Sequence, residues 1–272
     1  MTHKDHFSAN RELWDAWTRI HETSPLYDLD GFRAGRCSLQ PREVAEVGDV
    51  AGKRLLHLQC HFGQDTLSWA RRGAVVTGVD FAPLSIDLAR SLAKELDLPA
   101  TFICANVYDL PDHLDGGFDV VFTSAGVLVW LPDLPCWARA IARVLAPGGF
   151  FYLHEFHPVA NACDYTEGVT EPVIRHPYFR TAEPLRFEES GSYGGPEPGV
   201  TRVSYEWPHG LGEVVGALLA AGLRLEFLHE FPDSVYPQLP FLARDEDGLW
   251  RHDGIEGGVP LMFSLKARKP LL

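Results

Sequence analysis

The stretch RLLHLQCHFGQDTLSWARRGAVVTGVD, residues 54–80, carries the strongest fold signal in the sequence. An apolar run of strand length, 55–58, is followed by a short loop and by the helix-length segment 64–72. A second β-rich run, 74–79, ends on Asp80. This order is typical of a βαβ unit with two parallel strands. The loop and Asp80 are therefore expected at the carboxyl edge of the sheet, where nucleotide-like ligands bind in open α/β folds.

The composition is typical of a folded protein in which acidic residues outnumber basic ones. The 272 residues carry a formal charge of −13 without a run of Lys or Arg, so a nucleic acid, which needs a basic footprint, is not an expected partner. No apolar run approaches the roughly 20 residues that cross a bilayer, and the first residues lack the apolar core of a signal peptide. The five cysteines are scattered, which is typical of reduced thiols. We expect a cytoplasmic monomer or homodimer that acts on a small molecule, with no nucleic-acid or membrane partner.

Alternating β and α signals continue after Asp80 and break over 160–208, where Gly, Pro and aromatic residues accumulate. The further strands are predicted at 100–104, 118–123 and 150–153 before the break, and at 223–231 and 260–267 after it. Near the N-terminus, apolar residues recur at helical spacing from Leu13 to Ile20. This helix either packs on the core as a surface helix or forms a lid over the ligand site.

The order of elements resembles that of the class I S-adenosylmethionine-dependent methyltransferases. The resemblance is carried by the segments RLLHLQCHFGQDT, VTGVDFAPLSIDLAR, NVYDLP, FDVVFTSAGVLVWLPD and RVLAPGGFFYLHE. It implies a doubly wound, mostly parallel seven-stranded sheet with an N-terminal helical cap and an insertion after the fifth strand. The implied divisions are a cap or lid over 1–50, a core over 51–158 and 209–272, and an insertion over 159–208 that covers the acceptor site.

The first motif departs from the family pattern. His57, Gln59 and His61 stand at the family's acidic and first two glycine positions, and only Gly63 remains. Backbone amides near a helix N-terminus still suit the cofactor's carboxylate. The resemblance therefore implies that these four residues and Cys60 bind S-adenosylmethionine, in part through side chains.

The resemblance implies further cofactor contacts at the ends of the next strands. Asp80 would accept hydrogen bonds from both ribose hydroxyls, with capping of the next helix as the alternative. Phe81 would flank the adenine or pack in the core. Asn106 would bind the adenine amino group or form a turn, and Val107 would offer its backbone amide. The small residues Ser124 and Ala125 would leave room for the sulfonium.

The acceptor side is predicted from residues that carry polar or aromatic side chains. His154, Glu155 and His157 follow the fifth strand and, with His209, are candidate catalytic residues, because a phenol or catechol must lose a proton on methylation. The alternative for each histidine is a hydrogen bond that holds the insertion. The candidate substrate-binding residues are Trp17, Tyr27, Trp130 and Tyr205.

These patterns predict methyl transfer from S-adenosylmethionine to a small-molecule acceptor by in-line displacement, with S-adenosylhomocysteine as the product. The first alternative is a non-catalytic binding or sensor protein of the same fold, which the altered first motif favours. The second is an NAD-dependent oxidoreductase, although Gln59 and His61 break its G-x-G-x-x-G fingerprint. The histidines and cysteine of residues 57–61 lack a nearby carboxylate cluster, so no metal site is expected.

Overall fold

The computed structural model describes residues 3–271, so residues 1, 2 and 272 of the predicted cap and core lie outside the described part of the chain. The N-terminal region forms α1 (His3–Glu22), α2 (Leu29–Arg33) and α3 (Pro41–Val47). The first half of the core forms β1 (Arg54–Leu58), α4 (Gln64–Arg71), β2 (Val75–Asp80), α5 (Pro83–Glu95), β3 (Ala100–Cys104), α6 (Leu110–His113), β4 (Phe118–Thr123), α7 (Leu134–Val144) and β5 (Leu145–Phe156).

The second half contains the insertion and the closing strands. The insertion forms α8 (Pro158–Ala162) and the antiparallel hairpin of β6 (Leu185–Glu189) and β7 (Arg202–Glu206). The remaining elements are α9 (Leu211–Ala220), β8 (Arg224–Phe231), β9 (Asp233–Ser234), β10 (Ala243–Arg244), β11 (Trp250–Arg251) and β12 (Met262–Arg268).

The main sheet has seven strands in the order β3-β2-β1-β4-β5-β12-β8. β12 runs antiparallel to both of its neighbours, and the other pairs are parallel. The strand order reverses between β1 and β4, which creates the crevice where ligands bind in doubly wound sheets. The predicted fold class is therefore confirmed.

The central strand β1 is buried on both faces. Leu56 packs in a cluster with Trp137 of α7, whereas Leu55 packs in the opposite layer with Trp69 of α4. Successive side chains of a strand point to opposite faces. A strand covered by helices on both sides therefore reads as a continuous apolar run.

Gly63 is the one position of the first motif where glycine is required. Its φ is +78°, and a Cβ there would lie 2.7 Å from the ring of Phe102. An L-residue is strained at this φ, and the ring leaves no room for a side chain. Gln59 and His61 also have positive φ values, 53° and 50°, so the loop curls tightly and is not extended like a strand.

Two features differ from the sequence expectations. The strand predicted over 150–153 is longer in the structure, where β5 begins at Leu145 and includes the segment 147–149, next to a register irregularity between β4 and β5. A small sheet of β9, β11 and β10 lies between β8 and β12 in the chain and was not predicted, because strands of two residues carry no periodic signal.

Candidate active site

A cavity of about 700 Å³ opens at the carboxyl edge of the sheet, between the loops after β1, β2, β4 and β5 on one side and α1 and the insertion on the other. The predicted site residues in its wall are Trp17, Tyr27, Gln59, Cys60, His61, Gly63, Asp80, Phe81, Ser124, Ala125, Trp130, His154, Glu155 and His209. The predicted residues outside its wall are His57, Asn106, Val107, His157 and Tyr205.

Asp80 is held by backbone amides at the end of β2. One carboxylate oxygen accepts from the His61 amide at 2.8 Å, and the other accepts from the Ala82 amide at 2.9 Å. Ala82, not Asp80, occupies the N-cap position of α5. Burial raises the pKa of the Asp80 carboxyl to about 6, with the amide donors opposing the shift. Each oxygen keeps a second lone pair for a ligand in the cavity.

Gln59 turns its side chain across the crevice. Its Nε2 donates to the Val127 carbonyl at 3.1 Å. Its Oε1 is buried and has no hydrogen-bond partner among residues 3–271. A buried amide oxygen without a partner is costly, so this atom is suited to accept from a donor on a bound ligand.

His57 lies behind the cavity wall. Its Nδ1 is 2.8 Å from the Thr66 hydroxyl of α4, and its Nε2 is 3.4 Å from the Ser124 hydroxyl. Burial lowers the pKa of the imidazole to about 3, so the ring is neutral. The structure therefore assigns His57 to joining the loops after β1 and β4, and direct cofactor contact is not supported.

Asn106 and Val107 also lie away from the cavity. The Asn106 side chain accepts from the Tyr108 amide at 3.1 Å and caps the short helical turn Val107–Asp109. This is the turn-forming alternative that the sequence left open. Val107 is buried in the hydrophobic core.

His61 links the cofactor loop to two helices through a chain of hydrogen bonds. The Thr18 hydroxyl donates to the Trp14 carbonyl, so the Ser85 hydroxyl, 2.6 Å from that of Thr18, must donate to it. Ser85 then accepts from His61 Nδ1–H at 2.9 Å. This fixes His61 as the tautomer with a proton on Nδ1 and a lone pair on Nε2.

The series of hydrogen bonds continues into the insertion. His61 Nε2 accepts from His21 Nδ1–H at 2.8 Å, and His21 Nε2 faces the Ser192 hydroxyl at 3.0 Å. Ser192 in turn accepts from the Gly194 amide. Burial lowers the pKa of His21 to about 3 and that of His61 well below its usual value. Both rings are therefore neutral, and together they tie α1, the cofactor loop and the insertion to one another.

Replacing His21 with phenylalanine is expected to remove this tie while keeping the aromatic volume. The pKa of His21 lies below the value of about 6.5 in an unfolded chain. The stability that the neutral ring contributes is therefore fully present above about pH 6.5 and is lost as the pH falls towards 3. In urea unfolding at neutral pH, the free energy of unfolding of the wild type should exceed that of His21→Phe by about 1–2 kcal/mol. This difference in free energy should shrink as the pH is lowered. A difference that grows at low pH would contradict the neutral-tautomer assignment.

Of the four aromatic candidates for substrate binding, three line the cavity and one lies outside it. The Trp17 indole donates to the Gly191 carbonyl at 2.7 Å, and the Tyr27 hydroxyl lies 2.6 Å from that of Tyr193. Trp130 donates to the Gly126 carbonyl at 2.8 Å. Tyr205 instead packs its ring on α1 outside the cavity, so its predicted contact with the acceptor is not supported.

Glu155 holds the loop after β4. Its two carboxylate oxygens accept from the backbone amides of Gly126, Val127, Leu128 and Phe156 at 2.5–3.0 Å. Burial raises the pKa of this carboxyl, although the four amide donors oppose the shift. With both oxygens occupied in this way, Glu155 is suited to positioning the loop and not to abstracting a proton.

The three candidate histidines differ in whether a ring nitrogen is free. His209 has its Nε2 at 2.7 Å from the Leu131 carbonyl and its Nδ1 at 3.2 Å from a Glu213 oxygen, so both ring nitrogens are engaged by protein acceptors. His157 lies outside the cavity wall, where its Nδ1 accepts from the Val159 amide.

His154 lines the cavity with its Nδ1 at 3.2 Å from a Glu43 carboxylate oxygen. Its Nε2 is buried and has no hydrogen-bond partner within the described chain. Sequence reasoning missed Glu43, because the pattern Gln40 to Glu43 before an apolar segment is the ordinary signature of a helix capping box, which the structure also contains.

No group of three or more metal-ligating side chains converges within residues 3–271. Over the same residues, none of the helices is both long and apolar enough to span a bilayer.

Comparisons with known proteins agree with this geometry. Residues 56–153 match the family described as "Methyltransferase domain". The "Ubiquinone biosynthesis O-methyltransferase" of Chromobacterium violaceum is 30% identical over 158 residues, which cover 58% of this chain and 64% of that protein. The protein of the same name from Bordetella pertussis is 29% identical over 198 residues, which cover 71% and 78%. This chain thus spans less than two thirds of the first relative.

A solved structure has the same fold. The S-adenosylmethionine dependent methyltransferase from Mesorhizobium loti superposes with a TM-score of 0.60 at 21% identity, over 87% of this chain and 99% of that one. At 21% identity, this structural similarity shows that the two proteins share a fold.

Proposed function

We propose that this chain, whose residues 56–153 match the methyltransferase domain family and whose fold is that of a solved S-adenosylmethionine-dependent methyltransferase, transfers a methyl group from S-adenosylmethionine to a small-molecule acceptor bound in the cavity. The observation that carries the proposal is the continuity of that cavity, whose wall contains both Asp80 and His154. A donor and an acceptor can then share one space, as an in-line displacement requires.

The residues in the wall fit the cofactor. Asp80 has lone pairs for the ribose hydroxyls. The buried Oε1 of Gln59 has no hydrogen-bond partner within the described part of the chain and would accept from the cofactor's ammonium group. Phe81 lies beside Asp80 in the same wall and would flank the adenine. When bound, S-adenosylmethionine supplies an electrophilic methyl group on a sulfonium.

The chain's own residues align the reactants and exclude water. Glu155 fixes the loop that carries Ser124 and Ala125, which line the cavity where the cofactor's methionine portion is expected. Trp17 and Trp130 pack edge to face with ring centroids 6.0 Å apart and wall the space on the side of α1. A site closed in this way favours displacement over hydrolysis.

The acceptor that suits this cavity is a small, partly apolar molecule. Its wall combines aromatic rings such as Phe187 and Tyr236 with a few polar side chains, which is the usual composition of a small-molecule site. Two of the relatives are named O-methyltransferases, and this supports a hydroxyl group as the methylated atom.

The proposed cover of the acceptor is formed by α1 together with the insertion over 159–208. Asn10 of α1 pairs with the backbone of Tyr205 through both its amide atoms, at 2.8 and 2.9 Å. Trp17 and His21 add hydrogen bonds to the loop between β6 and β7. These contacts support a cap and insertion that act as one unit over the core.

Isothermal titration of the purified chain with S-adenosylmethionine, S-adenosylhomocysteine and NADH tests the proposal. We expect micromolar binding of the first two ligands and none of NADH. Binding of NADH alone would favour the oxidoreductase alternative. Failure of all three ligands would favour a binding module with a degenerate loop and would overturn the enzyme proposal.

A further inference from the structure

We propose that His154 is the general base of the reaction and that Glu43 is its positioning residue, which makes the acceptor an acidic hydroxyl of the phenol class. The inference rests on the proposed function and deepens it. It is carried by one arrangement, a buried Glu43–His154 pair in the cavity wall in which the His154 Nε2 has no hydrogen-bond partner among the described residues.

The pair is buried and geometrically defined. The His154 side chain is 1% exposed and that of Glu43 is 4% exposed. One Glu43 oxygen lies 3.2 Å from His154 Nδ1, and the other accepts from the Gln40 amide at 2.8 Å. A carboxylate fixed in this way holds the proton on Nδ1, so the lone pair of the neutral ring is on Nε2.

Two features together separate His154 from the other candidates, namely its place in the cavity wall and an Nε2 without a hydrogen-bond partner among the described residues. His157 lies outside that wall, and its Nε2 is 2.9 Å from a Glu230 oxygen. An imidazole nitrogen that is buried beside a cavity without a hydrogen-bond partner is energetically unfavourable. A hydroxyl of a bound acceptor would donate to it and satisfy it. The ring of Phe231 on β8 lies 6.2 Å from the His154 ring, with the Arg42 guanidinium on that phenyl ring, and Ser264 of β12 is the strand partner of His154.

In the proposed methyl transfer, every bond that forms is matched by one that breaks. The acceptor O–H bond breaks, and its proton passes to His154 Nε2 while the oxygen forms a bond to the methyl carbon. The S–CH₃ bond breaks, its electron pair stays on sulfur, and the sulfonium becomes a neutral thioether. Glu43 stabilises the imidazolium formed, which then returns its proton to solvent. Amine and thiolate acceptors need no such base when they are already unprotonated or ionised.

The test compares His154→Ala and Glu43→Gln with Glu46→Gln as the matched control. Glu46 lies one turn further along α3 and contacts Tyr152 and His229 instead of His154. With phenol or catechol as acceptor, we expect kcat to fall about 10²–10⁴-fold in His154→Ala and about 10–100-fold in Glu43→Gln, with KM changed little. Glu46→Gln should retain kcat within about twofold.

Acceptor acidity separates a chemical role from a structural one. The defect of His154→Ala should shrink for 4-nitrophenol under alkaline conditions, because this acceptor is already ionised, and added imidazole should restore part of the rate for phenol. Without turnover, wild-type protein holding S-adenosylhomocysteine should increase the phenolate absorbance of 4-nitrophenol near neutral pH, and His154→Ala should not.

The outcomes distinguish the two proposals. Failure of the wild type to bind S-adenosylhomocysteine would overturn the proposed function itself. Three other outcomes would overturn only the assignment of His154 as the base. The first is S-adenosylhomocysteine binding together with methylation of amines or thiols but not of phenols. The others are equal rate defects of His154→Ala for phenol and 4-nitrophenol, and the absence of a phenolate absorbance change with the wild type.

Discussion

Replacing Glu155 with alanine is expected to lower the free energy of unfolding by at least about 4 kcal/mol and the melting temperature by roughly 10 °C. The reason is the number of partners that one side chain serves. Four backbone amides donate to its two oxygens, and the side chain is almost completely buried. Each buried amide that loses its acceptor costs about 1–3 kcal/mol unless water replaces it.

Two further variants sharpen the Glu155 prediction. Glu155→Gln keeps one acceptor oxygen but turns an amide group towards backbone donors, so we expect an intermediate loss. Glu256→Ala removes an exposed carboxylate of the same type and should change stability by less than about 0.5 kcal/mol. Chemical denaturation of all three variants measures the effect. A loss of under about 1 kcal/mol in Glu155→Ala would show that the carboxylate does not organise the loop.

Replacing Asp80 with alanine is expected to weaken S-adenosylhomocysteine binding by about 100-fold or more. With the proposed ribose contact, the variant would lose two charge-assisted hydrogen bonds, each worth about 1.5–3 kcal/mol, and it would free the amides of His61 and Ala82 that shape the site. Asp87→Ala is the matched control, because Asp87 is an exposed carboxylate on the neighbouring helix α5. An Asp80→Ala protein that keeps its affinity within about threefold would exclude the ribose assignment.

Cofactor binding should also depend on pH through Asp80. Burial raises the pKa of this carboxyl to about 6, and the ionised form is the better acceptor for two hydroxyls. Affinity should therefore be constant above about pH 7 and fall by up to about tenfold per pH unit below 6. Titration calorimetry across this range should show the decline in the wild type and a flat, weak profile in Asp80→Asn.

The fold was predictable because its signals are local and redundant. The apolar run of β1 and the β-rich run of β2 lie on either side of a helix-length segment, and a parallel pair follows from that order alone. The small sheet of β9–β11 was not predictable, because its two-residue strands depend on partners elsewhere in the chain. Strand β5 likewise extends through its Pro-Gly-Gly segment because neighbouring strands pair with it.

The candidate site was predictable only in part. Asp80, Gln59 and His154 line the cavity because the carboxyl ends of parallel strands meet at one edge of the sheet, and these residues lie at or just beyond those ends. Tyr205 and His157 belong to the same regions of the sequence, yet neither contributes to the cavity wall. A one-residue difference along a strand or turn reverses the direction of a side chain, and no local pattern specifies which direction the insertion selects.

Periodicity and chain order are properties of short segments. They were therefore enough to predict the doubly wound sheet, the position of the loop after β1 and of Asp80, and the set of histidines near the carboxyl edge. The tertiary structure alone decided which groups meet. Glu43 and His154 are 111 residues apart, and His21 and Ser192 are 171 apart. Their hydrogen bonds, and the lack of a partner for His154 Nε2 among the described residues, arise from the packing of α3 and α1 against the sheet edge and the insertion.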